Sequence, residues 1–188
     1  MPTGSPELPD PIRETNSTVA PGPATYSTRK VALERRLLDD ASVPATVLRP
    51  CAIHGLNSRH PREWWFVKRI LDRRPTIPLA YWGTSRFHTS AVANIAALVC
   101  VAAEAPGSHV LNIADPDAPT VAEIAARIAH HLDYQGRVVE LDNPSYPPLI
   151  GGTPWSLPRP FVVDCQAALA LGYSPVTTYA DAVAATCD

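Results

Sequence analysis

A tyrosine and a lysine stand four residues apart in the run Tyr26-Ser27-Thr28-Arg29-Lys30, at the start of a helical pattern. Positions i and i+4 share one face of an α-helix, so the phenol and the ammonium can point into the same pocket. A phenol in water titrates near pH 10, and a nearby cation favours its ionised form. The spacing suits a proton-transfer pair, although a surface lysine beside a loop tyrosine would give the same pattern.

The composition limits the classes of protein that the chain can belong to. The 188 residues are 46% hydrophobic and 18% charged, which fits a globular protein. A net charge of −2 gives no electrostatic footprint for nucleic acid or an anionic membrane. The longest apolar run, residues 91–103, is interrupted by Asn94 and is too short to cross a bilayer. We therefore expect neither nucleic acid nor a membrane as a partner.

The cysteines and the first residues predict a cytoplasmic protein. Four scattered cysteines show no C-x-x-C spacing, which indicates incidental thiols in a reducing compartment. No signal peptide is visible, because the first residues are polar and rich in proline. The histidines and cysteines lack the spacing of metal ligands, so no metal site is predicted.

Helical and strand patterns alternate along the chain. Residues 1–24 are rich in proline and predict an irregular arm. Predicted helices cover residues 26–41, 63–73, 92–104, 120–131 and 164–171 and run from 178 to the end. Predicted strands cover 45–49, 77–82, 109–113 and 137–141, and 143–160 is a Pro/Gly-rich connection. The alternation predicts an α/β fold with crossover connections.

A family resemblance follows from the order of several motifs. Behind the Tyr26 and Lys30 pair comes the segment Leu48-Arg49-Pro50-Cys51-Ala52-Ile53-His54-Gly55. Together they resemble the extended short-chain dehydrogenases/reductases, the NAD-dependent epimerases and dehydratases, in which a strand ending L-R-P-x-x-(I/V)-(Y/H)-G follows the catalytic helix.

Three later segments extend the resemblance over nearly the whole chain beyond about residue 20. Arg86-Phe87-His88-Thr89, leading to Val92-Ala93-Asn94-Ile95-Ala96, resembles the family's R-x-F-x-x-V-x-D-x-A segment, with Asn94 at the usual aspartate. Leu111-Asn112-Ile113-Ala114 followed by Thr120 to Glu123 is similar to its Y-N-I-G strand and the helix after it. Leu171-Gly172-Tyr173-Ser174-Pro175 resembles its late L-G-Y-x-P turn.

The resemblance implies a fold and a set of site residues. Residues 25–188 would form part of a Rossmann-like parallel sheet with flanking helices, plus a small substrate-binding lobe. Tyr26 would be the general acid/base, and Lys30 would favour the ionised phenol and hydrogen-bond the nicotinamide ribose of NAD or NADP. The residues expected to lie against the nicotinamide are Pro50, Ala52 and Ile53. Without the resemblance this loop is equally well explained as a plain end of a strand.

The expected substrate is a nucleotide sugar or a similar hydroxyl or carbonyl compound. His54 and Arg86 are the candidate substrate-binding residues, since a guanidinium can hold a phosphate through two hydrogen bonds. The alternatives are a hydrogen-bonded structural histidine and a surface ion pair. Trp64 and Trp65 could flank a ligand or pack in the core, and core packing is expected for at least one of them.

The chain also departs from the family in its glycines. Members begin with a half that carries a G-x-x-G-x-x-G loop for the pyrophosphate, and none of the nine glycines here has such spacing. The family's upstream active-site Ser or Thr would fall before Met1, and Thr3 and Ser5 lie too close to the arm for that role. We therefore expect a fragment that needs an N-terminal half or a homodimer. The rival hypothesis is a non-catalytic pseudoenzyme or interaction module that keeps the substrate lobe.

Overall fold

Helices and short parallel strands alternate in the computed structural model, which describes residues 9–40, 42–142 and 150–187. The helices are α1 (Tyr26–Asp39), α2 (Trp64–Leu71), α3 (Val92–Glu104), α4 (Val121–His131), α5 (Gln166–Ala170) and α6 (Tyr179–Cys187). The strands are β1 (Thr46–Pro50), β2 (Ala52–His54), β3 (Thr76–Leu79), β4 (Thr89–Ala91), β5 (His109–Ile113) and β6 (Arg137–Glu140). The α/β fold class expected from the sequence is confirmed.

Every strand pair in the described chain is parallel. Strand β1 pairs with β5, β2 with β4, and β3 with β6. Along the longest pair, Thr46 lies opposite His109 and Pro50 opposite Ile113. Each pair joins strands that are distant in sequence, with helices between them, as parallel pairing requires. This is the arrangement of a partial Rossmann-like fold.

Two hydrophobic clusters stabilise these elements. The larger one joins α2, β3, α4 and α6, and it includes the fully buried Trp155 and Tyr179. The smaller one packs α3 and α5 against the β1–β5 pair, around Leu98, Leu111 and Ile113. Helix α1 belongs to neither cluster, and none of its residues is buried.

The predicted elements agree best where the local signal is complete. Helix α3 and strand β5 have the predicted bounds, and α4 follows a capping box formed by Thr120 and Glu123. The predicted strand 77–82 stops at Leu79, because a 3₁₀ turn (Tyr81–Gly83) follows it. Strands β2 and β4 were not predicted, since three residues are too few to show a period. Residue 41 and residues 143–149 of the predicted elements lie outside the described chain.

Part of the proline-rich arm is hydrogen-bonded to the body of the protein. Ile12 forms a parallel bridge with Val163, and Asp164 N donates to Ile12 O at 2.8 Å. Farther along, the Glu14 carboxylate accepts from Asn112 N at 2.7 Å. The described part of the arm, residues 9–24, contains no helix or strand.

Gly151 occupies a position that a larger residue would not fit. Its φ is +74°, and an added Cβ would lie 2.6 Å from the backbone nitrogen of Ala80. We expect Gly151→Ala to lower the free energy of unfolding by about 2–4 kcal/mol, through this clash and the left-handed backbone. Urea unfolding followed by circular dichroism measures the loss.

Gly172 provides the matched control. Its φ is +98°, but an added Cβ would meet no atom within 4 Å. Gly172→Ala should therefore lower the free energy of unfolding by only about 1 kcal/mol, the backbone cost alone. Equal losses in the two variants would contradict the close approach at Gly151.

Candidate functional site

The start of helix α1 places Tyr26 and Lys30 on one face. Thr25 caps the helix: its side chain accepts from Thr28 N, and the Thr28 side chain accepts in return from Thr25 N. Tyr26 is the first residue of the helix, and its side chain is 69% exposed. The Lys30 Nζ atom lies 5.5 Å from the centroid of the Tyr26 ring. The two side chains are therefore neighbours at the surface, as their spacing predicts.

A cleft of about 550 Å³ lies between α1 and the β1–β2 segment. Tyr26 and Lys30 line it from the helix, and Pro50, Cys51 and Ile53 line it from the strands. Ile53 is 43% exposed, so its side chain is available to a ligand. The cleft thus brings together four of the residues predicted to contact a dinucleotide. The fifth, Ala52, is buried, and its N–H donates to His88 O.

An ion pair fixes α1 relative to β1. The Arg49 guanidinium donates to both carboxylate oxygens of Glu34, with Nε at 3.0 Å from Oε2. Its Nη1 also donates to Glu14 O at 3.2 Å. A bidentate pair holds both position and orientation, so Arg49 sets the distance between the helix and the strand that line the cleft.

The structure places His54 in the interior and not on the cleft. Its side chain is 1% exposed, and its Nε2–H donates to Asp115 Oδ2 at 2.7 Å. The ring also packs against Tyr179, with 4.9 Å between the centroids. This position favours the alternative that the sequence left open, a hydrogen-bonded structural histidine. A substrate contact by His54 stays a prediction.

Asp115, a residue that the sequence did not single out, is the centre of this interior network. Its carboxylate accepts from His54, from the Thr89 hydroxyl at 2.6 Å, from Ala91 N at 2.7 Å and from Asn94 Nδ2 at 2.9 Å. Burial by itself would raise the pKa of Asp115, but the hydrogen bonds and the nearby His54 outweigh it and hold the pKa below the usual range. The ionised carboxylate therefore joins β2, β4 and α3 beneath the cleft.

Asn94 uses both ends of its amide. Nδ2 donates to Asp115 Oδ1 and to Thr177 O, while Oδ1 accepts from Val176 N and Thr177 N. This residue stands where the resemblance would place an aspartate. An aspartate here would face the carboxylate of Asp115, so the amide is required by its neighbour.

His88 is a second buried histidine that the sequence did not assign a role. Its Nε2–H donates to Asp115 O at 2.9 Å, and its Nδ1 accepts from Val163 N at 3.3 Å. Burial lowers its pKa, and an accepting Nδ1 requires the neutral ring. His88 therefore holds its own segment to the backbone of two others and is not available for proton transfer in this arrangement.

Arg86 and the tryptophans lie apart from the cleft. Arg86 is exposed and bridges Thr120 through its backbone. Hydrogen bonds from Thr120 lower the pKa of the Glu123 carboxyl, and the charge of Arg86 lowers it further. Trp64 is exposed, whereas the Trp65 ring is partly buried against the core under the guanidinium of Arg69. One of the two tryptophans thus packs in the core, as expected. A phosphate contact by Arg86 stays a prediction.

Burial keeps Cys51 and Cys165 from acting as activated thiols. Both are free of disulfides, and Cys51 lines the cleft. Burial raises the pKa of the Cys51 thiol to about 12 and that of Cys165 to about 11, which disfavours the reactive thiolate. Within the described residues, no group of three or more metal-ligating side chains could hold an ion. No helix in the described part of the chain is long and apolar enough to span a membrane.

No protein-family model and no curated protein matches the chain. Solved structures do match it. The chain is similar to MoeE5 in complex with UDP-glucose and NAD, with a TM-score of 0.70 and 21% identity over 98% of this chain and 60% of that one. It is similar to the dTDP-glucose 4,6-dehydratase of Bacillus anthracis in complex with NAD, with a TM-score of 0.69 and 16% identity over 96% and 56%.

A third match is the UDP-glucose 4-epimerase of Thermotoga maritima with UDP-glucose, with a TM-score of 0.67 and 19% identity over 92% of this chain and 57% of that one. The chain is therefore an α/β protein with a Rossmann-like fold. More narrowly, its fold is the one found in NAD-dependent sugar-nucleotide epimerases and dehydratases, as the sequence resemblance predicted. The chain spans 56–60% of the length of these three structures.

Proposed function

We propose that this chain carries the proton-transfer part of an NAD(P)-dependent epimerase, dehydratase or reductase that acts on a nucleotide sugar. The observation that carries the proposal is the cleft in which Tyr26 and Lys30 lie beside Pro50 and Ile53. The similar structures support it, since their complexes contain NAD, UDP-glucose or both. The fold alone would not choose this activity, because one fold hosts many functions.

The residues of the cleft suit one end of the dinucleotide. Pro50 and Ile53 offer an apolar wall for a nicotinamide ring, and Lys30 offers a donor for the ribose beside it. NAD, when bound, accepts or returns a hydride. Tyr26 would hold or deliver the proton of the substrate hydroxyl at its phenolic oxygen, with the Lys30 ammonium beside its ring. The exposure of Tyr26 allows a sugar to reach that oxygen.

The sequence contains no glycine-rich loop for the pyrophosphate of the dinucleotide. None of the nine glycines has the G-x-x-G or G-x-G spacing that brings backbone N–H groups against phosphate. We propose that another polypeptide segment, an N-terminal half of the Rossmann type, supplies this cradle. Within the described residues β1 pairs with β5 alone, so its other edge can accept a further strand.

The surface beside that edge supports the same arrangement. Helix α1 has no buried residue, and Leu33 and Leu37, which line the cleft, are about half exposed. A 14-residue helix is marginal in water without an apolar face to bury. A strand added beside β1 would cover these leucines, whereas a homodimer through α1 is the other way to bury them. The free thiols of Cys51, Cys100 and Cys165 fit a reducing compartment such as the cytoplasm.

Titration of the purified chain with NADH and NADPH tests the proposal. We expect no tight binding by the chain alone, measured by nucleotide fluorescence and calorimetry, because the pyrophosphate cradle is supplied from elsewhere. Tight binding would contradict the need for a second segment. A preparation that contains such a segment should bind dinucleotide and convert UDP-glucose or dTDP-glucose, and failure to do either would contradict the proposed activity.

A non-catalytic role is the second candidate function. The observation that favours it is the lack of a glycine-rich phosphate loop in the sequence. A pseudoenzyme that keeps the substrate lobe would bind UDP-glucose without turning it over, even with the dinucleotide-binding segment present. Product analysis by chromatography separates the two candidates.

A further inference from the structure

Glu63, at the start of α2, is a buried carboxyl that the proposed function does not use. Glu63 is 1% exposed. Oε1 accepts from the Tyr179 hydroxyl at 3.4 Å, and Oε2 is buried without a hydrogen-bond partner in the described structure. No lysine, arginine or histidine nitrogen of the described residues lies within ion-pair distance of it. An ionised carboxylate in such a place would be poorly compensated.

The charged and titratable groups around Glu63 come from β2, from α6 and from the residue before Glu63. Arg62 precedes it, but its guanidinium lies over the Phe87 ring, 4.7 Å from the centroid. His54 on β2 is already bound to Asp115, and its Nδ1 has no partner. Tyr179 begins α6, and the Cys187 thiol also lies near enough to interact with its phenol. Burial opposes a charge on Glu63, while His54, Tyr179 and Arg62 favour one.

We infer that the buried Glu63 carboxyl holds α6 against α2 while it is protonated, and that loss of its proton releases α6 from α2. The contact between Glu63 and Tyr179 joins the first turn of α2 to the first residue of α6. An ionised Glu63 needs water, and water reaches it when this buried contact opens. The contact between Glu63 and Tyr179 thus holds α6 in a pH-dependent way.

A second set of hydrogen bonds limits which residues are expected to move. Asn94 Oδ1 accepts from the backbone N–H groups of Val176 and Thr177, immediately before α6. These bonds do not involve Glu63. Ionisation of Glu63 should therefore loosen α6 (Tyr179–Cys187) while the segment that Asn94 holds keeps its place.

The sign of the pH dependence follows from the carboxyl. Burial raises the pKa of Glu63 above its ordinary value of 4.5, against its own backbone N–H, His54, Tyr179 and Arg62. A folded-state pKa above the unfolded one gives a stabilisation that is complete below the unfolded pKa and is lost as the pH rises through the folded pKa. Over that window each pH unit lowers the folding equilibrium constant up to tenfold relative to a chain without this carboxyl.

Infrared spectroscopy of the protein in ²H₂O gives the direct test. In a pH titration, we expect the carbonyl band of a protonated carboxylic acid to persist to a higher pH in the native protein than in the protein unfolded in urea, and this late component to be absent from Glu63→Gln. The comparison of native with unfolded protein needs no variant, so it stands even if Glu63→Gln fails to fold. A native band that disappears at the same pH as in the unfolded protein would overturn the inference.

Hydrogen exchange read by mass spectrometry tests the release of α6. As the pH rises from the ordinary carboxyl range, about 4.5, to about 9, the protection of residues 179–187, corrected for the intrinsic exchange rate, should fall in the wild type and stay constant in Glu63→Gln. Tyr179→Phe is the matched control: it removes the hydroxyl but keeps the carboxyl, so α6 should lose protection at every pH while the pH dependence remains. Equal pH dependence of this protection in the wild type and in Glu63→Gln would overturn the inference that Glu63 controls the release of α6.

Discussion

Asn94→Asp is expected to lower the free energy of unfolding at neutral pH by about 3–5 kcal/mol, the range for an uncompensated charge in a protein interior. The amide now donates to Asp115 Oδ1 and to Thr177 O. The variant would place a second carboxylate against Asp115, a buried group that already accepts from His54, Thr89 and Ala91. Two charges would then repel each other where one is compensated. Urea unfolding at pH 7 measures the loss.

The pH dependence of this variant separates repulsion from simple loss of a contact. The carboxylate of Asp115 would raise the pKa of the new carboxyl, so the penalty should grow as the pH rises through that pKa and shrink in acid. A protonated carboxyl can again donate to Asp115. Asn94→Ala is the control, since it removes the donor without adding a charge, and its penalty relative to wild type should change little with pH. Parallel pH profiles for the two variants would contradict the repulsion.

This network also shows what the sequence could not reveal. His54 and Asp115 are 61 residues apart, and the other donors come from β4 and α3. The strands that bring them together, β2 and β4, have three residues each. A period cannot be recognised in so short a stretch, and no local pattern records a distant partner. No signal in the sequence therefore marks Asp115, although it accepts four hydrogen bonds in the interior.

Local signals were sufficient elsewhere. The pair Tyr26 and Lys30 depends on the spacing within one helix, and the structure places both side chains on one cleft. The helix α4 depends on its capping box, and α3 on an apolar run that only Asn94 interrupts and that ends before Pro106. His54 shows the limit of the same reasoning. A polar residue after a strand can point to the cleft or to the core, and only the partner across the sheet decides which.

Asn94 shows how a departure from a family pattern can have a structural reason. The resemblance places an aspartate at this position, and the chain has an amide. Because Asp115 supplies the carboxylate of the network, the residue opposite it has to be a donor. The acid and the amide are thus parts of one arrangement, and the difference at residue 94 does not by itself weaken the resemblance.

The second large effect is expected at Tyr26. Tyr26→Phe should lower kcat by about 10²–10⁴-fold in the preparation that converts UDP-glucose or dTDP-glucose, because it removes the group that would transfer the proton. The free energy of unfolding should stay within about 0.5 kcal/mol of wild type. The side chain is 69% exposed, and its hydroxyl has no hydrogen-bond partner among the described residues. Steady-state kinetics and urea unfolding of the same preparations provide the two measurements.

The control for this prediction is a tyrosine that lies outside the cleft and whose hydroxyl is hydrogen-bonded. Tyr134 lies away from the cleft, and its hydroxyl donates to Arg74 O at 2.8 Å. Tyr134→Phe removes that bond, so it should lower the free energy of unfolding by about 1 kcal/mol and leave kcat unchanged.

Lys30→Met should lower kcat as well and weaken dinucleotide binding, since Lys30 would contact both the phenol and the ribose. Full activity in Tyr26→Phe would exclude this phenol as the proton donor, and the cleft beside α1 would then need another acid or base to act as an active site.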